Sequence, residues 1–106
     1  MSIRWTDTRY LFIMKPKLSV YCITYNHGPY IAEALESFLA QKTNFEFEIV
    51  VGDDASKDNT QEVLKEYQQR YPDKIRLLLN QVNRGAIYNF IDTYDACQGE
   101  YLALCE

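Results

Sequence analysis

The chain has 106 residues, a length that suits one domain. Hydrophobic residues make up 47% and charged residues 25%, which allows a packed core and excludes wholesale disorder. The net charge is -4, and the basic residues, among them Lys57, Lys65, Arg70, Arg76 and Arg84, are scattered, so no basic stripe supports nucleic acid as a partner.

Residues 1–16 read as an N-terminal extension and 17–106 as a partial domain. The extension carries a short apolar patch at Tyr10–Met14 but no small-residue cleavage site, so it is not read as a signal peptide. Met14 is a second candidate start. No apolar run approaches the ~20 residues that span a bilayer. Leu18–Thr24 (LSVYCIT) is a run of strand formers suited to burial on both faces. Pro29 fits the first turn of a helix, and Ile31, Leu35, Phe38 and Leu39 recur at helical spacing to about Gln41. Glu46–Gly52 predicts a second strand, followed by a turn over Asp53-Asp54-Ala55-Ser56-Lys57-Asp58. Asn59 with Glu62 predicts the cap of a helix over Thr60–Tyr71. Ile75–Leu79 is a third strand. Ile87, Phe90, Ile91 and Tyr94 mark a third helix, ended by Gly99, and Tyr101–Cys105 is a fourth strand.

Strands alternating with helices predict an α/β, Rossmann-like parallel sheet, with ligands at the carboxyl ends of the strands. The residues there are Tyr25-Asn26-His27-Gly28 and Asp53-Asp54. Adjacent carboxylates at a strand end repel unless they serve different partners or a ligand. A Gly-x-Gly-x-x-Gly turn is missing after the first strand, which argues against a nicotinamide or flavin cofactor. Asp54 is read as a ligand contact, whereas Ser56 and Asp58 are read as turn and cap acceptors. The Tyr25 ring could stack on a base while Asp54 accepts from a base N–H. His27, the one histidine, is read as a surface or capping residue. Arg84 fits either phosphate binding or a solvated loop in which Gly85 supplies a positive φ. Cys22, Cys97 and Cys105 lack metal or redox spacing and read as core packing; their odd number fits a reducing compartment.

Taken together, Leu18–Asn26, then Ile31-x-x-Ala34-Leu35-x-Ser37-x-Leu39-x-Gln41, then Phe47–Ser56 with Asp58 and Thr60, then Asn83-x-Gly85 and Gly99-Glu100-Tyr101, resemble a family 2 glycosyltransferase. The resemblance runs from about Lys17 to Glu106. It implies a GT-A fold and a nucleotide diphosphate sugar donor, such as a UDP-sugar. It implies nucleotide contacts at Tyr25 and Asp54, with Thr24 and Asp53 adjoining and Arg84 as a further candidate. Relatives commonly carry proline where Ile23 stands. The resemblance places an acidic motif holding Mg2+ or Mn2+ just past Glu106, and a general base and acceptor region later still. It therefore implies inverting transfer to a carbohydrate or lipid-linked acceptor in the complete protein. The expected pathway is polysaccharide or glycolipid synthesis, in the cytoplasm or at the inner face of the membrane. By itself this chain is expected to bind nucleotide weakly, to hold no metal tightly and to transfer no sugar.

Two other readings compete. A non-enzymatic assembly module would self-associate through the edge of the fourth strand. A phosphoacceptor domain would need an acid after the third strand, where Leu79-Asn80 stands.

Overall fold

Seven elements alternate along residues 16–105, the part of the chain described by a computed structural model. They are β1 (Leu18–Thr24), α1 (Gly28–Leu39), β2 (Phe47–Asp54), α2 (Thr60–Arg70), β3 (Ile75–Asn80), α3 (Ala86–Ala96) and β4 (Tyr101–Cys105). Residues 1–15 of the N-terminal extension, with the second candidate start at Met14, and Glu106 lie outside the described residues.

The strands form one parallel sheet in the order β3-β2-β1-β4. β1 pairs with β2 from Leu18 opposite Phe47 to Thr24 opposite Asp53. The Rossmann-like arrangement expected from the sequence is thus the observed one. β2 lies inside the sheet and is buried at every position, which explains why its apolar run lacks polar alternation.

The two-residue period of β2 divides its side chains between two layers. Ile49 and Val51 face α1 and α2, where they pack with Cys22, Ile31, Leu35, Leu64 and Tyr67. Full burial of side chains such as Leu35, Ile49 and Leu64 contributes about 1.5–3 kcal/mol each. The opposite face receives α3, where the Tyr21 and Phe90 rings meet edge to face at 5.8 Å.

Three details differ from the sequence expectation. β2 continues through Asp53 and Asp54, which pair with Leu79 and Asn80 of β3, so the acids belong to the strand and not to a turn. Hydrogen bonds to both carboxylates override the poor strand propensity of aspartate. Asn59 stands at the cap position of α2 but makes no side-chain cap bond. Asp58 does that work instead: its carboxylate accepts from the Thr60 N–H at 3.0 Å and from the Thr60 hydroxyl. On α3, Ile87, Ile91 and Tyr94 are exposed, whereas Asn89 and Thr93 are buried. Gly52 has no Cβ, and the space this leaves on β2 admits those polar side chains; Asn89 Nδ2 donates to the Gly52 carbonyl at 2.9 Å.

Of the cysteines, Cys22 is in the core cluster, with Cys105 packed against it from the facing position of β4. Burial, reinforced by Cys105, pushes the Cys22 thiol well above its usual range, so it is an inert packing group at neutral pH.

Candidate functional site

Strand alternation settles the fate of the acidic pair. Asp53 has the parity of Ile49 and Val51 and turns toward the α1–α2 layer. Asp54 has the parity of Val50 and Gly52 and turns toward α3.

Asp53 is fully buried. Its Oδ1 accepts from the Thr24 hydroxyl at 2.6 Å and the Ser56 hydroxyl at 2.5 Å. Its Oδ2 accepts from the Ser56 N–H at 2.9 Å and Gln61 Nε2 at 2.8 Å. Four donors use the acceptor capacity of a carboxylate. Asp53, expected among the ligand contacts, is therefore held away from the cleft on the other side of β2. The same bond commits the Thr24 hydroxyl, although Thr24 itself borders the cleft.

Asp54 lies in the wall of a cleft of about 300 Å3, bordered also by Tyr25, His27, Asn83, Gly85 and Asn89. Its Oδ1 accepts from the Arg84 N–H at 2.8 Å and Asn80 Nδ2 at 3.2 Å, and its Oδ2 accepts from the Gly85 N–H at 2.9 Å. The Arg84 amide is the main reason the carboxyl sits below the ordinary carboxylate value. Asp54 is thus a fixed anion at neutral pH, with one acceptor position left on Oδ2. Gly85 presents its amide from a φ of 95°, which favours glycine.

Tyr25 stands at the rim and is 41% exposed. His27 is joined to it, since its Nδ1 accepts from the Tyr25 N–H at 2.9 Å. Asp54 and Tyr25, the two residues singled out from the sequence, therefore border one cleft. The Arg84 side chain does not border it. The guanidinium pairs with Asp92 and lies 5.5 Å from the Tyr88 ring, while only the backbone N–H reaches Asp54. Asn80, which donates to Asp54, and Asn89, in the cleft wall, carry no signal of their own in the sequence. The Asn83 of the Asn83-x-Gly85 motif was the available signal for this loop.

A larger cavity of about 460 Å3 opens at the other end of the sheet, among Glu46, Glu48, Asp73, Arg76 and Gln98. Its buried carboxylate, Glu48, is already bound by the Ser19 hydroxyl at 2.5 Å and the Gln98 N–H at 2.7 Å. The carboxyl ends of parallel strands are the usual ligand rim, so the smaller cleft is the candidate site.

Among the described residues, no three His, Cys, Asp or Glu side chains converge to hold a metal ion. Asp53 and Asp54 face opposite layers and cannot chelate together. The described residues do not compose the divalent-metal site that the resemblance implies. Also among the described residues, no helix is long and apolar enough to cross a membrane.

The family model for glycosyl transferase family 2 matches residues 19–106. An uncharacterized protein of Mycobacterium tuberculosis is 48% identical over 89 residues, covering 84% of this chain and 26% of the relative. Residues 1–349 of Staphylococcus aureus TarS, solved with UDP, align with a TM-score of 0.74 at 30% identity, over 84% of this chain and 26% of that one. The mannosyltransferase PcManGT of Pyrobaculum calidifontis, solved with GDP-Man and Mn2+, aligns with a TM-score of 0.71 at 27% identity, over 83% and 26%. The chain thus spans about a quarter of the length of these relatives. By its match from Ser19 to Glu106 and its GT-A architecture, the chain belongs to the family 2 glycosyltransferases.

Proposed function

We propose that residues 17–106 form the nucleotide-recognition part of a transferase that moves a sugar from a nucleotide diphosphate donor to a hydroxyl acceptor with inversion. The observation that carries this reading is the placement of Asp54 and Tyr25 on one cleft at the carboxyl ends of β1 and β2. An anionic carboxylate only accepts hydrogen bonds, so it can take the ring N–H of a base such as uracil, thymine or guanine. Tyr25 supplies a stacking face beside it. The nucleotides in the two similar structures, UDP and GDP-Man, both carry such a base.

In the whole protein, a Mg2+ or Mn2+ ion would neutralise the donor diphosphate, and its ligands and the general base would come from residues other than those described. The acceptor is a carbohydrate or lipid-linked hydroxyl, and the setting is polysaccharide or glycolipid synthesis at the cytoplasmic side. The chain alone binds nucleotide weakly and does not transfer sugar. Calorimetry with UDP, GDP and dTDP, with and without Mn2+, tests the reading. Binding by the wild type that is weakened in Asp54→Ala is the expected result; equal absence of binding in both would count against it.

One observation favours a second reading, self-association. β4 is an edge strand, and its Tyr101, Leu102 and Leu104 are exposed. Light scattering that shows dimers unaffected by nucleotide would support it.

A further inference from the structure

The loop after β1 and the loop after β2 are fastened together by side chains that have no place in the cleft itself. The Asn26 N–H donates to the Ser56 hydroxyl at 2.8 Å, and that hydroxyl donates to Asp53 Oδ1 at 2.5 Å. In the other direction, the Lys57 N–H donates to Asn26 Oδ1 at 2.8 Å. Two residues in this region adopt the left-handed backbone, Asn26 at a φ of 56° and Ala55 at 58°. Asparagine tolerates that conformation better than most side chains, because its short amide can bond locally. Asn26 directly follows Tyr25, and Ala55 directly follows Asp54. The clamp therefore joins the residue next to the rim aromatic with the residues next to the cleft carboxylate.

Resting on the nucleotide reading above, we propose that Asn26, Ser56 and Asp53 are positioning residues that set the gap between Tyr25 and Asp54. The acidic pair then has divided roles: Asp54 faces the base, and Asp53 anchors the clamp from the opposite face of the sheet. Preformed spacing raises affinity because the ligand need not order the two loops on binding. Loss of one clamp bond, worth about 0.5–1.5 kcal/mol, corresponds to roughly two- to tenfold in affinity.

The test uses variants that separate the side chain from the backbone. Asn26→Gly keeps access to positive φ but removes the acceptor for Lys57, whereas Asn26→Asp keeps an acceptor. Ser56→Ala breaks the clamp from the other loop. Amide exchange at Lys57 and calorimetric UDP and GDP affinity are measured beside thermal midpoints. In Asn26→Gly, faster Lys57 exchange and roughly two- to tenfold weaker nucleotide binding are expected, with both largely restored in Asn26→Asp. Ser56→Ala should weaken binding similarly. In a Tyr25→Ala background, Asn26→Gly should have little further effect on affinity, since it acts through Tyr25. Unchanged affinity in Asn26→Gly and Ser56→Ala, alongside weakened binding in Asp54→Ala, would overturn the clamp while leaving the nucleotide reading intact. Absence of nucleotide binding by the wild type would overturn both.

Discussion

Asn89 donates its side-chain amide to the Gly52 carbonyl at 2.9 Å and thereby fastens α3 to the sheet beneath the cleft. The contact is so close that a Cβ at Gly52 would collide with the Thr93 hydroxyl and with Asn89 Oδ1. Gly52→Ala is expected to destabilise the fold by roughly 1–3 kcal/mol in urea denaturation. Adding Thr93→Ala should relieve part of that loss, so that the double variant is more stable than the sum of the singles predicts.

The α1–α2 layer has its own polar tie. The Tyr67 hydroxyl donates to Glu36 Oε1 at 2.7 Å, and this bond is the main cause that raises the Tyr67 phenol above its ordinary value. Tyr67→Phe should cost about 0.5–1.5 kcal/mol. Because the phenol ionises at higher pH in the folded chain than in the unfolded chain, its contribution is present below about pH 10 and is lost as pH rises through the folded value. Wild-type stability should therefore fall more steeply above that pH than that of Tyr67→Phe, as followed by circular dichroism.

Asp54 gives the opposite sign. Its carboxyl is held below the ordinary value, chiefly by the Arg84 amide, so the unfolded chain takes up its proton first as pH falls. The stabilisation is present above about pH 4 and is lost as pH drops through the folded value. Asp54→Asn should flatten this acid limb in a series of thermal melts from neutral to acid pH.

Much of this architecture was legible in the residues. β1 and β2 announce themselves as apolar runs because parallel strands inside a sheet are covered on both faces. That Tyr25 and Asp54 border one cleft was legible because both stand at the carboxyl ends of neighbouring parallel strands. What was hidden depended on the third dimension. Aspartate is a poor strand former, so Asp53 and Asp54 read as a turn, although buried donors hold them in β2. Helical spacing pointed to Ile87, Ile91 and Tyr94, yet the gap above Gly52 selected Asn89 and Thr93 for burial. Arg84 drew attention for its guanidinium, but the group that reaches Asp54 is its backbone amide, which residue type does not reveal.

The site at the carboxyl ends of β1 and β2 is tested most directly by titrating UDP or GDP into the 15N-labelled chain and following amide shifts. The expected result is a set of perturbations centred on Tyr25, Asn26, Arg84, Gly85 and Ala86, greatly reduced in Asp54→Ala. Perturbations centred instead on Glu48, Arg76 and Gln98 at the far end of the sheet, or none up to millimolar nucleotide, would contradict it.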